Sequence, residues 1–437
     1  MTRRAPRSRS PFVRLLSPLR DFLALEASGA LMLAGAAVVA LVWANSPWRA
    51  SYEHLWESRA AISVAGHRLD LDLRGWINDA LMTIFFLVVG LEIKRELTEG
   101  HLASKRAAML PALAALGGMV VPALVYLAIA GSTASRGWAI PMATDIALAV
   151  GVLAIAGTRL PSSLRAFLRG LAIVDDIGAI VIIAAVYSTG VSVGWLAASA
   201  VGVALVAVMR RVRVNATLAY VVVGVGIWLA MHEAGIHPTL AGVVMGLMAP
   251  SAPRLDVELI DVDELTDLSD VEAARTTSDI ARGSVSVVEW LQHVLHPWTS
   301  YVIVPVFALA NSGISISLDG LRDAAASPIT WGVLAGLVVG KPLGIVLASR
   351  LAVRSGVADL PEGASPKQVI GIGAAGGIGF TVALFITELA LPDAADRSHA
   401  KLAILVASGL SAVIAGVFLT RPIAAAAGAT REAETVA

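Results

Sequence analysis

Two carboxylates stand side by side in LAIVDDIGAIVII, residues 171–183, a stretch that is otherwise apolar. An acid near the centre of a spanning helix costs about 2.5–3.5 kcal/mol on insertion scales. Such acids commonly face a cavity, a partner or an ion path. Adjacent helical positions point about 100° apart. One of Asp175 and Asp176 can therefore line a cavity while the other turns to a neighbouring helix. Two carboxylates in low dielectric do not ionise together readily. A carboxyl that holds a proton and surrenders it when a cation arrives is an exchanger site. The plainer reading, a salt-bridged structural pair at a helix end, conflicts with the depth of the pair inside the apolar run.

Three further stretches place polar groups at depth. GWAIPMATDIALAVGVLA, residues 137–154, sets Thr144 and Asp145 just after Pro141. Proline removes a backbone donor and disfavours helix before it, so the spacing predicts a helix interrupted inside the membrane. Broken backbone there must be buried in protein or face a cavity. Its carbonyls, the Thr144 hydroxyl and the Asp145 carboxylate are hard oxygen ligands, suited to a small cation such as Na⁺ or Li⁺. A helix that merely starts near Pro141 is the alternative. In LVVGKPLGIVL, Lys341 precedes Pro342. A buried ammonium needs a partner, and Asp175 or Asp176 is the natural one unless the side chain snorkels. In GIGAAGGIGFTVALFI, residues 371–386, glycines including Gly377 and Gly379 make an unbroken helix unfavourable before Thr381. A small-residue packing face is a second reading, compatible with the first.

These residues need long apolar elements to hold them. Of 437 residues 57% are hydrophobic and 15% charged, with a mean hydropathy of +0.76. The class is an all-α polytopic membrane protein. Twelve transmembrane helices are expected, at 22–44, 77–97, 107–131, 138–158, 167–189, 193–209, 215–233, 237–250, 291–316, 329–350, 368–390 and 400–420; the eighth is short. One interrupted span in each half points to inverted structural repeats, spans 3–5 and 10–12. Residues 22–420 form the transmembrane domain, between a basic N-terminal tail (1–21) and a C-terminal tail (421–437). Segment 251–289 is an acidic loop. Lys94, Arg95, Lys105, Arg106, Arg165, Arg169, Arg210 and Arg211 fall in alternate loops, so both termini are expected in the cytoplasm. With no cysteine, disulfides and thiolate metal sites are excluded. Asp79 lies early in span 2. Glu92 and Glu96 share a helix face at its far end, and His237, His293 and His296 lie near helix ends, where ordinary surface or capping duty is the simpler role.

MATDIALAVGVLA, LAIVDDIGAIVIIA, GLEIKREL, LHPWTSYVIVPVFALANSGI, GKPLGI and GIGFTVALFI together resemble the NhaA-type bacterial Na⁺/H⁺ antiporters, in order and spacing from about residue 22 to 420. That family is itself a known case of inverted repeats with discontinuous helices. The resemblance implies twelve helices, with spans 4 and 11 broken and crossing at mid-membrane. It implies a cation and proton site at Asp175, Asp176 and Thr144, with Asp176 the more direct ligand. Asp145 and Lys341 would compensate the half-helix dipoles at the crossing, and Gly377, Gly379 and Thr381 belong to discontinuous helix 11. It further implies pH sensing by Glu92, Arg95, Glu96, His237 and His293, and a place for Asp79 in a cytoplasmic or periplasmic funnel. The implied activity is electrogenic, pH-regulated export of Na⁺ or Li⁺ in exchange for H⁺ by alternating access. It would serve sodium and pH homeostasis in the bacterial inner membrane. Membrane lipid and a possible homodimer, through a β-hairpin within 45–76, are the implied partners. No cofactor, resident metal or nucleic acid is expected. Two features depart from the family: the acidic loop is longer, and Gln292 stands where an acid is expected.

Other classes fit less well. An intramembrane aspartic protease could pair Asp145 with Asp176, but leaves Lys341 and the second broken helix idle. A passive cation channel needs no titrating pair beside a buried lysine. A sodium-coupled solute symporter needs a roomier pocket.

Overall fold

The structure, a computed structural model, is described over residues 27–64, 67–156, 161–214, 216–252 and 285–420. The tails and most of the acidic loop expected at 251–289 lie outside these residues. Helix α1 (Ser28–Ala44) turns by 116° into α2 (Arg49–Trp56). A hairpin follows, β1 (Arg59–Val64) pairing antiparallel with β2 (His67–Asp72), Arg59 opposite Asp72. Then come α3 (Leu73–Thr98), α4 (Lys105–Ala134), α5 (Ile146–Ala156), α6 (Ser162–Val186), α7 (Val193–Arg211), α8 (Thr217–Glu233) and α9 (Thr239–Met248). The last group is α10 (Val287–Asn311), α11 (Leu318–Ala326), α12 (Pro328–Arg354), α13 (Pro366–Gly376), α14 (Phe380–Ala390) and α15 (Ala394–Thr420).

Among the described residues six helices are long and apolar enough to cross a bilayer, or up to eight if each bent pair counts as one span. Helix α6 has the length, at 25 residues, but carries Arg165, Arg169, Asp175 and Asp176. The charges that make it interesting are what set it apart from the six. Helices α5, α8 and α9 are shorter. Sequence cues fix several starts. Ser286 accepts from the Glu289 N–H and opens α10. Ser365 and Gln368 form a reciprocal capping box on α13, with Pro366 in its first turn.

Small residues let the helices approach closely. Helices α4 and α12 run antiparallel: a Cβ on Gly344 would strike the Gly117 carbonyl, and one on Gly340 would meet the Pro122 backbone at 2.9 Å. Helix α9 runs parallel to α3, with Gly242 against Thr83 and Gly246 against Leu91. Among the described residues three helices contain one wide π turn each, at Ile77–Leu81, Thr299–Ile303 and Gly336–Gly340. The last ends at Lys341, whose neighbour Pro342 has no N–H to continue the ladder.

Two chain segments break. The first runs as a 3-10 helix over Ser135–Met142, extends through 143–145 and resumes as α5. The second breaks between α13 and α14, with a bend of 43°. Helix α13 continues through Gly371, Gly373 and Gly376 and stops at Gly377. The earlier glycines serve packing, Gly371 against Leu419 and Gly373 against Pro342.

Candidate ion-exchange site

The two breaks meet. The Asp145 N–H donates to the Ile378 carbonyl at 2.6 Å, one broken strand to the other. Gly377 and Gly379 are required by closeness, not by unusual φ. A Cβ on Gly377 would press on the Leu337 carbonyl at 2.5 Å, and one on Gly379 would meet the Ala143 carbonyl at 3.2 Å.

Asp145 caps both resumed helices. Its Oδ1 accepts from the Leu148 N–H of α5 at 3.0 Å. Its Oδ2 accepts from the Thr381 N–H at 3.1 Å and the Thr381 hydroxyl at 2.6 Å, at the start of α14. One carboxylate thus satisfies orphan donors of two helices whose positive dipole ends converge. Thr381 does not reach the acid pair; it holds Asp145.

Lys341 reaches across from α12. Its Nζ lies 2.7 Å from Asp175 Oδ2, both side chains fully buried, and donates to the Met142 carbonyl at the end of the 3-10 segment. The Thr144 hydroxyl sits 2.7 Å from Asp175 Oδ2 and 2.9 Å from the Gly376 carbonyl. A hydroxyl has one proton, so it serves these acceptors one at a time. Asp175 Oδ1 is buried without a hydrogen-bond partner among the described residues.

Asp176 differs. Among the described residues its carboxylate makes no hydrogen bond or ion pair. It retains 6% exposure against 1% for Asp175 and feels the charges of Asp175, Glu92, Asp145 and Lys341. A cavity of about 800 Å³ opens on its side of the bundle, lined by Ile173 on the same face of α6, by Ala147 of α5, and by Glu92, Arg95, Glu96 and Arg169. Glu289, Gln292, His293 and His296 of α10 complete its rim. Arg95 donates to Gln292 Oε1 at 3.2 Å, so Gln292 takes as a neutral acceptor the place where an acid was expected.

Two residues expected in pH-sensing or funnel roles, His237 and Asp79, lie away from this cavity. His237 stands at the opposite end of α3 and α9, packed edge-on against Phe385 with ring centroids 5.2 Å apart. Because α9 runs parallel to α3, with Gly246 beside Leu91, His237 is about 15 Å from Glu92 along the helix axes. Asp79 lies at that same far end, 3.9 Å from His232 Nδ1. Near it Asn311 Nδ2 donates to Asn78 Oδ1 at 2.8 Å.

Sequence reasoning missed Arg169 as a funnel residue. The signal was present: Arg169, Ile173 and Asp176 are spaced four and three apart, one face of a helix. It also missed the ion pair of Glu388 with Lys401, 2.5 Å apart across α14 and α15. No sequence signal joins those two helices at that point.

Interrupted helices that cross at a buried carboxylate cluster, beside a funnel, define a class: helical membrane transporters with the site between broken helices. The comparisons give the particular family. A family model described as Na⁺/H⁺ antiporter 1 matches residues 20–419, and the chain belongs to that family. Among similar proteins, Na(+)/H(+) antiporter NhaA 2 of Sorangium cellulosum is 43% identical over 426 residues, 93% of this chain and 91% of the relative. Na(+)/H(+) antiporter NhaA of Rhodopirellula baltica is 46% identical, covering 94% of this chain and 95% of its own. Na(+)/H(+) antiporter NhaA of Cupriavidus necator is 44% identical over 94% and 91%. The family is one of transporters, not enzymes, and of multi-pass bacterial membrane proteins.

Proposed function

We propose that this chain exchanges Na⁺ or Li⁺ for H⁺ electrogenically, by alternating access at the crossing of its broken helices. The observation that carries the reading is the Asp176 carboxylate, unpaired among the described residues and set between the buried Asp175–Lys341 pair and the funnel. A cation arriving from the funnel takes oxygens from Asp176, the free Oδ1 of Asp175 and the Thr144 hydroxyl, and displaces protons. The loaded site then opens to the other face, the cation leaves, protons rebind, and the protonated site returns. Two acids, with Lys341 beside them, move more protons than cations per cycle, which makes exchange electrogenic.

The wider frame follows the same reading. Twelve crossings in inverted repeats place both termini and the Glu92 funnel on the cytoplasmic side, consistent with the lysines and arginines there. The antiparallel contact of α4 with α12 suits repeats of opposite orientation. Glu92, Arg95, Glu96 and His293 line the inward path and set the response to cytoplasmic pH. The hairpin at 59–72 is the element for homodimer contact.

Vesicles holding an acid interior and a pH-sensitive dye test the proposal. Added Na⁺ or Li⁺ should collapse the gradient, faster with a voltage of favourable sign. Collapse by neither ion at any pH between about 6 and 9 would remove it.

A further inference from the structure

At the end of the bundle opposite the funnel, three rings stack in a row. Trp76 of α3 lies parallel to Trp228 of α8 with centroids 6.4 Å apart, and Trp228 lies parallel to His232 at 5.8 Å. The Trp76 indole N–H donates to Ala60 of the hairpin at 2.7 Å. The Trp228 indole N–H donates to the Asp79 carbonyl at 3.3 Å. His232 Nδ1 stands 3.9 Å from Asp79 Oδ2, at the outer limit of an ion pair, and the side chains are 28% and 19% exposed. The Asp79 carboxylate and the Trp228 ring face are the two groups that meet the imidazole.

We propose that His232 is a proton-binding site on the outer face, and that its protonated form latches α8 to Asp79 of α3 and slows the opening of the outer side. The assignment of this face as outer rests on the antiporter reading above. The latch reaches the exchange site because α3 also carries Phe86, packed on Phe385 of α14 with centroids 5.4 Å apart. Other groups facing the pair are few. Asp72 at the hairpin's end acts on Asp79, and His237 interacts with His232. Glu233 follows on α8. Helix α7 brings only Arg210 and Arg211, at its far end, and α9 brings no charge.

The test uses the full chain in oriented proteoliposomes. Isotopic Na⁺ self-exchange is measured at saturating Na⁺, with inner pH fixed and outer pH varied between about 5 and 8. Saturation removes proton competition at the transport site, so a remaining response belongs to the latch. Wild type should slow severalfold as the outside is acidified. His232→Gln should stay fast and His232→Lys slow wherever Asp79 is ionised, while Asp79→Asn should lose the response. An imidazolium stacked on an indole quenches its emission. Acid should therefore dim tryptophan fluorescence in wild type and in Asp79→Asn, but lose the Trp228 component of that quenching in His232→Gln. The same acid slowing in His232→Gln as in wild type, or an unaltered emission titration, would overturn the proposal. If no exchange occurs in wild type, the antiporter reading falls, and the emission titration still judges the proton site.

Discussion

Asp175 and Lys341 are both fully buried and 2.7 Å apart, so each is the other's main compensation for desolvation. Removing one partner of such a pair costs about 3–5 kcal/mol, because the other charge is left unpaired. Lys341→Met should therefore lower the melting temperature in detergent markedly, and adding Asp175→Asn should recover much of it. Lys341→Met as stable as wild type would show that the pair is not held ionised. Thr381→Val removes the hydroxyl donor to Asp145, a charge-assisted bond worth about 1.5–3 kcal/mol. It should weaken stability by that order while leaving the Asp175–Lys341 pair intact. The residues themselves were legible in the sequence: an acid or a lysine inside an apolar run is conspicuous because burial is costly. Their pairing was not. That Lys341 takes Asp175 and leaves Asp176 without a partner depends on how α12 crosses α6. That His237 lies at the other end of the bundle from Glu92 was illegible for a similar reason, since proximity to a helix end does not say which end of the bundle.

Among elements, the closeness of α4 to α12 is set by glycines that face each other. Gly344→Ala should destabilise by at least the 1–3 kcal/mol typical of overpacking, since its Cβ would meet the Gly117 carbonyl backbone. Gly35→Ala, on α1 with no atom within 4 Å, should be neutral or stabilising by up to about 1 kcal/mol through helix propensity. Thermal unfolding of the two variants side by side checks the contrast, and equal effects would contradict the packing account. The long apolar runs made the helices readable, and Pro141 marked the first break. Glycines marked the second break less sharply, because glycine signals both a weak helix and a tight contact. In α13 contact won, and the chain stayed helical to Gly376. The π turn before Lys341 left no legible mark beyond Pro342.

For the whole molecule, the funnel defines a sidedness. The absence of native cysteine makes single-cysteine labelling clean. Val150 lines the cavity on α5, so Val150→Cys should react with an impermeant thiol reagent added from the cytoplasmic side and resist it from the other. Reaction from the outer side alone would invert the orientation. The central claim, though, is that a cation and protons compete for Asp176. The most direct measurement is proton release when Na⁺ is added to purified, unbuffered protein near neutral pH. Wild type should release protons in a saturable manner, and Asp176→Asn should release far fewer. Saturable Na⁺ binding without proton release, or equal release from Asp176→Asn, would contradict the account.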